Sequence, residues 1–298
     1  MKTIKQRISY AVMGLMAMGF TACTQNEDMA PTLKGQEINA TFSVGGMQTR
    51  VNTLGHGNSW EDKDKLKVSI FTDYDHGSTT VLSFNGETWS RAGSFRWLTD
   101  DEQHTILAVY PSDTDFWQEN LQYDLQTDQS SEGNLKNADL ITGYWHDIPR
   151  SYYVNIPMKH RMSLVTIVYH VGTADYPDID ISEPQVYSKN NSVRFFRAPD
   201  QGKFVMGTPS GNPDWVKACK HDDGMFSAIV IPGSYKTDEI FVKFKIGDKN
   251  FHAKMRSNTE FQEGHRYTYK LDVGKDKVEL TRISIDNMTG WTNEDELK

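Results

Sequence analysis

Few groups of side chains in this 298-residue sequence combine types and spacing that could do chemistry. Gly207-Thr208-Pro209-Ser210-Gly211 sets a serine one position late for a nucleophile elbow, and no strand-turn-helix pattern surrounds it, so it reads as a turn. Asp73-Tyr74-Asp75-His76 and His221-Asp222-Asp223-Gly224 bring carboxylates and imidazoles together, as acid–base or metal sites require. Neither has the later glutamate of a calcium loop. Both lie between strand-like runs, where aspartate bonds the local backbone, so both read as turns. The only cysteines are Cys23 and Cys219, too few for a Cys/His metal centre. No catalytic residue, metal or cofactor is expected, and the chain is not expected to be an enzyme. Seven tryptophans offer faces on which sugars could stack. Trp60, Trp89, Trp97 and Trp145 lie beside predicted strands and are expected in a core, whereas Trp117 and Trp215, in polar stretches expected to be loops, are the candidates for glycan contact.

The amino terminus carries a different chemistry. Lys2, Lys5 and Arg7 precede an apolar run from Ala11 to Phe20 that ends in Phe20-Thr21-Ala22-Cys23. A positive flank, a short apolar segment and small residues before a cut are the pattern of a signal peptide, here residues 1–22. The run is shorter than the roughly 20 apolar residues a membrane-spanning helix needs. Cys23 after Thr-Ala resembles the lipobox of bacterial lipoproteins, which implies a thiol carrying diacylglycerol and an acylated new amine. Several such chains, palmitate among them, hold a protein on a membrane where one would not. Outer-membrane lipid is thus an expected partner. Residues 23–36 are polar and without hydrophobic period, and read as a tether. Within it Glu27-Asp28 resembles an acidic surface-export signal and reads equally as a solvated linker.

The formal net charge is −8. Cleavage after residue 22 would remove three cations and no acid, leaving 29 Lys and Arg against 40 Asp and Glu, a net −11. That balance argues against nucleic acid and anionic lipid surfaces as partners. With Cys23 acylated, Cys219 has no partner and the fold must hold without a disulfide.

Beyond the tether, runs of alternating or densely β-branched and aromatic residues are punctuated by Gly, Pro, Asn and Asp. Strands are expected near Ile38–Val44, Leu66–Thr72, Thr79–Phe84, Ser94–Trp97, His104–Tyr110, Asp139–Tyr144 and Tyr152–Pro157. A second set is expected near Ser163–His170, Ile179–Tyr187, Val193–Phe196, Lys203–Met206, Met225–Ile231, Glu239–Ile246, Asn250–Met255, Tyr267–Val273 and Val278–Ile285. Asn85-Gly86 accepts positive φ at both centres of a type I′ hairpin turn, and Gly247-Asp248 joins two runs in the same manner. Residues 113–132 read as a polar surface loop, with a short helix over Asp113–Tyr123 as the one helical candidate. The pattern predicts an all-β protein of two β-sandwiches, residues 37–158 and 159–298.

Several segments in this order resemble the fimbrillin family of lipoprotein pilus subunits. Gln48-Thr49-Arg50, Ser59-Trp60-Glu61-Asp62, Asp64-Lys65-Leu66-Lys67-Val68 and Ile106-Leu107-Ala108-Val109-Tyr110-Pro111 are similar to its first domain. His160-Arg161-Met162-Ser163-Leu164-Val165, Ile229-Val230-Ile231-Pro232-Gly233, Gly264-His265-Arg266-Tyr267-Thr268-Tyr269-Lys270-Leu271 and Ile285 to Trp291 are similar to its second. The resemblance implies two tandem transthyretin-like Greek-key sandwiches on the outer surface of the outer membrane. It also implies cleavage by a trypsin-like protease after an arginine, matched here by Arg50. Removal of the first strand, with Ile38, Ala40, Phe42 and Val44, then lets a neighbouring subunit donate a strand. The donor candidate is the carboxy-terminal run with Val278, Leu280, Ile283 and Ile285, whose alternation changes phase near Arg282. The expected partners are other fimbrial subunits and a ligand on a host or bacterial surface. Shaft, anchor and tip roles all fit. The alternative is a monomeric surface lipoprotein that binds glycans through Trp117 and Trp215.

Overall fold

The computed structural model describes residues 32–44, 50–51, 58–73, 75–117, 120–172, 180–198, 203–221, 224–274 and 278–287. Its largest sheet has six strands in the order β1 (Asn39–Val44), β10 (Tyr153–His160), β9 (Ile141–Asp147), β6 (His104–Tyr110), β4 (Lys65–Phe71), β5 (Ser78–Ser83). A five-stranded sheet runs β16 (Cys219–His221), β17 (Met225–Val230), β11 (Ser163–Val171), β22 (His265–Val273), β23 (Val278–Asn287). One four-stranded sheet runs β15 (Asp214–Lys217), β12 (Ser182–Ser188), β19 (Ile240–Ile246), β20 (Lys249–Lys254). Another runs β14 (Lys203–Met206), β13 (Ser192–Ala198), β8 (Asn120–Asp124), β7 (Phe116–Trp117). Two small ladders pair β18 (Gly233–Tyr235) with β21 (Thr259–Phe261) and β2 (Arg50–Val51) with β3 (Asn58–Ser59). The single helix among the described residues, α1, spans Glu132–Asn137. The protein is all-β, as its punctuation and alternation predict.

Burial follows residue type with a period of two. In β10, Val154, Ile156, Met158 and His160 are buried while Tyr153, Asn155, Pro157 and Lys159 are exposed. β6 differs: all seven of its residues, His-Thr-Ile-Leu-Ala-Val-Tyr, are buried. Ile106, Ala108 and Tyr110 join one apolar cluster with Phe42, Leu66, Val68, Ile70, Trp97 and Ile156. Leu107 and Val109 point the other way, into a larger cluster built mostly from β11 onward. A near-continuous apolar run is what a strand covered on both faces requires. Leu33–Lys298 forms one compact unit around these two clusters.

The structure corrects three expectations. Residues 113–132 are not a surface loop, and Asp113–Tyr123 is not a helix: β7 and β8 lie there, and β8 pairs with β13 from Asn120↔Phe196 to Asp124↔Ser192. Leu121, Tyr123 and Leu125 are buried at every second position. The polar residues between them dilute that signal. The helix follows them, opened by Ser131, whose Oγ accepts from the Asn134 N–H at 3.2 Å. Ser94–Trp97 is not a strand either, and contributes only an isolated bridge from Arg96 to Glu37. The Asn85-Gly86 turn is wider than a two-residue hairpin, since the flanking bridge joins Phe84 to Trp89. Asn85 Oδ1 accepts the Glu87 and Thr88 N–H groups at 3.0 and 2.8 Å, a local bond that competes with the tighter turn. Gly247-Asp248 does close a two-residue hairpin, with Ile246 opposite Lys249 and positive φ at Gly247 alone.

Candidate functional site

β1 is an edge strand. It pairs in parallel with β10 from Asn39↔Tyr153 to Val44↔Met158, and among the described residues no strand lies on its other side. Ile38, Phe42 and Val44 are buried, and Ala40 is half-buried against the same cluster. The β9 ladder reaches β10 only at Met158, Lys159 and His160. For Tyr153–Pro157, β1 is therefore the one ladder partner. Pro157 fits this arrangement, because a proline cannot donate to a second neighbour.

β1 borders a cleft of about 490 Å³ lined by Ile38, Phe42, Trp60, Phe84, Trp89 and Tyr153, among others. Trp60 Nε1 donates to the Phe42 carbonyl at 2.7 Å and so occupies an acceptor on β1. Trp89 meets Phe42 and Trp60 edge-on, with ring centroids 5.1 and 5.2 Å away.

Arg50 lies six residues past the end of β1, in β2, opposite Ser59. Cys23 lies outside the described residues. The candidate donor run is β23, at the edge of the five-stranded sheet, antiparallel to β22 from His265↔Asn287 to Val273↔Val278. Leu280 is buried, and Val278 packs on the larger cluster. The ladder shifts register between Thr268↔Ser284 and Tyr269↔Arg282, so Ile283 is the extra residue of a bulge. A bulge moves the two-residue period by one, which is the phase change between Leu280 and Ile283, Ile285 in the sequence. In this structure β1 and β23 both belong to the chain's own sheets.

The glycan candidates sit on strands, not in loops. Trp117 is in β7, in register with Asn120. Trp215 is in β15, half-buried, with the Tyr187 ring 5.1 Å away and Lys243 Nζ 3.8 Å from its ring centroid. An ammonium thus covers the indole. Trp60 and Trp97 are buried, and Trp89 and Trp145 pack on the first cluster, as expected of core tryptophans. Among the described residues no group of histidine, cysteine and carboxylates is arranged to hold a metal. Asp222 and Asp223 lie outside them. Asp75 Oδ1 accepts the Gly77 N–H at 2.8 Å, as a turn aspartate does. Cys219 is buried, and burial pushes its thiol up, away from the reactive thiolate.

A buried polar junction was missed by sequence reasoning. Arg161, between β10 and β11, donates to Thr142 Oγ1 at 2.6 Å, Glu263 Oε2 at 2.9 Å and the Phe204 carbonyl at 2.9 Å. Burial pushes its guanidinium down and Glu263 opposes that. Beside it the buried His160 Nδ1 and Asp139 Oδ2 are 2.8 Å apart. Their signal is weak in sequence, because one arginine at a strand end has no periodicity.

Helices are nearly absent among the described residues, several sheets share packed faces, and the first strand sits at an edge: this is the class of stacked-sheet β proteins. The fimbrillin-like family matches over residues 49–287, most of the chain, and the protein belongs to that family. Membership makes it a fimbrial, cell-surface protein that associates with other fimbrial subunits. A candidate cell-adhesion protein from Bacteroides ovatus shares the fold, with a TM-score of 0.61 at 14% identity over 87% of this chain and 98% of its own. Another from Bacteroides uniformis gives 0.60 at 14% identity over 85% and 97%. No curated protein matches in sequence.

Proposed function

We propose that this chain is a structural subunit of an adhesive fimbria, exported as a lipoprotein through Cys23 and assembled by donor-strand exchange after cleavage at Arg50. The two lobes, residues 37–158 and 159–298, are read as tandem transthyretin-like sandwiches. The observation that carries the reading is the place of β1: an edge strand whose side chains are core and whose backbone is the sole ladder for Tyr153–Pro157. Removing it would expose the sites of Ile38, Phe42 and Val44, worth roughly 5–9 kcal/mol of apolar burial, together with a row of bare peptide groups. An incoming strand restores both along its length. Intact β1 then keeps the precursor monomeric.

β23 is the proposed donor. It is an edge strand too, so its release breaks one ladder only. Digestion of the folded protein with an arginine-specific protease should cut after Arg50 and yield ladders that survive unheated SDS. Arg50→Ala should remain a monomer. An Arg50-Val51 bond that resists the protease, or a cleaved product that stays monomeric, overturns the proposal. Labelled palmitate on wild type, absent from Cys23→Ala, tests the anchor separately.

A further inference from the structure

The sheet β15–β12–β19–β20 turns one face inward, where Val186, Val216, Val242, Phe244 and Ala253 are buried. Alternation sends the residues between them outward. Register then sets Lys217, Gln185, Lys243 and His252 in one row across all four strands. Lys217, Lys243 and His252 are exposed. With strands about 4.8 Å apart, the row is about 14 Å wide. Lys245 lies in the adjacent row beside Asn250, and the exposed Lys254 continues β20.

Lysine is concentrated on the strands of this face. Between Ile240 and Lys254 four lysines stand against one acid, Asp248, a local net of +3 along β19 and β20 in a protein of net −8. Two lysines of the face have exposed partners: Lys217 with Asp128 at 3.5 Å and Lys245 with Glu183 at 2.7 Å. Such solvated pairs hold weakly and can exchange for a ligand's anions. Lys243 and Lys254 have no carboxylate partner among the described residues. Lys243 is held instead over Trp215, so the indole fixes a charge rather than offering that face to a sugar.

We propose that this outward face binds an acidic polysaccharide, a linear chain bearing sulfates or carboxylates along its length. The argument is charge complementarity at short range. At physiological salt the Debye length is about 8 Å, so a narrow polymer lying on the face senses the lysines while the acids elsewhere are screened. A planar anionic membrane or a nucleic-acid duplex would bring its charge against the rest of an acidic surface. The site does not depend on strand exchange, and the uncleaved monomer suffices to test it.

The measurement is surface plasmon resonance of the uncleaved protein on immobilised chondroitin sulfate near physiological salt, with soluble competitors. Chondroitin sulfate should compete, neutral dextran should not, and duplex DNA should compete less well. The double variant Lys243→Glu, Lys254→Glu should weaken binding by about tenfold or more, since it puts like charges against the ligand. The double variant Lys65→Glu, Lys159→Glu makes the same net change at exposed sites on the six-stranded sheet and should leave affinity within about twofold. Both pairs are exposed, so loss of folding does not enter. Equal loss in both variants would mean that net charge alone acts. Competition by dextran would mean stacking, and stronger competition by DNA a different polyanion. Each of these overturns the proposal.

Discussion

At the scale of single residues, buried polar side chains tie the apolar interior together at fixed points. Gln129 is fully buried and acts as an extra strand residue: its Oε1 accepts the Ile229 N–H at 2.7 Å and its Nε2 donates to the Ile229 carbonyl at 2.9 Å. Tyr123 Oη donates to the Ala138 carbonyl at 2.6 Å. Burial pushes the phenols of Tyr110, Tyr123 and Tyr235 far above their ordinary range, with Asp64 beside Tyr110 and Asp139 beside Tyr123 adding to it. The sign is that of a group raised by folding. Its contribution is complete below the unfolded pKa, near 10, and is lost as pH climbs from there toward the folded value. Three such phenols remove about 4 kcal/mol by pH 11, each costing about 1.4 kcal/mol per pH unit. Alkaline titration should therefore show tyrosinate absorbance for these three rising together with loss of the far-ultraviolet β signal. Tyrosinate formation by all thirteen tyrosines in a protein that keeps its β signal would refute the assignment.

At the scale of elements, turns fix which edges stay open. The β4–β5 connection is closed by Gly77 at φ +57, where a Cβ would lie 1.8 Å from the Ile70 carbonyl oxygen. Gly86, in the wider hairpin, has φ +92 and open space around it. Gly77→Ala should cost about 3 kcal/mol, the upper end of left-handed strain, because the obstacle is backbone. Gly86→Ala should cost about 1–2 kcal/mol, the conformational term alone. Urea midpoints of the two variants measure the difference, and equal shifts would contradict the contact. Alternation made β10 legible from sequence, and dense β-branched and apolar runs made β1, β4, β6 and β11 so. β16, β18 and β21 were not legible, because three residues are too few to show a period, and the four-residue β15 carries only Trp215 and Val216 between polar ends. β7 and β8 were hidden by composition, their buried Leu121 and Tyr123 being flanked by Asn, Gln and Asp. The edge position of β1 could be inferred only through a family resemblance, and the cationic sheet face not at all. Its lysines alternate with Val and Phe, and only strand pairing brings them side by side.

At the scale of the whole molecule, the two apolar clusters share a middle. β6 feeds one cluster with Ile106 and Ala108 and the other with Leu107 and Val109. β8, from the first half of the chain, pairs with β13 from the second. Arg161, between β10 and β11, ties Thr142, Phe204 and Glu263 together. Leu33–Lys298 forms one compact unit, so the two clusters are joined through shared strands. The consequence for stability is coupling, because damage at the shared layer reaches both clusters at once. Leu121, fully buried on β8 in the larger cluster, is the place to test this. Leu121→Ala should cost about 3 kcal/mol, the usual loss for a deleted core leucine. Hydrogen exchange read by mass spectrometry should show β4 and β6 losing protection by the same amount as β11 and β22. Independent lobes would instead lose protection only in β11 and β22, leave β4 and β6 unchanged, and give two separable unfolding steps.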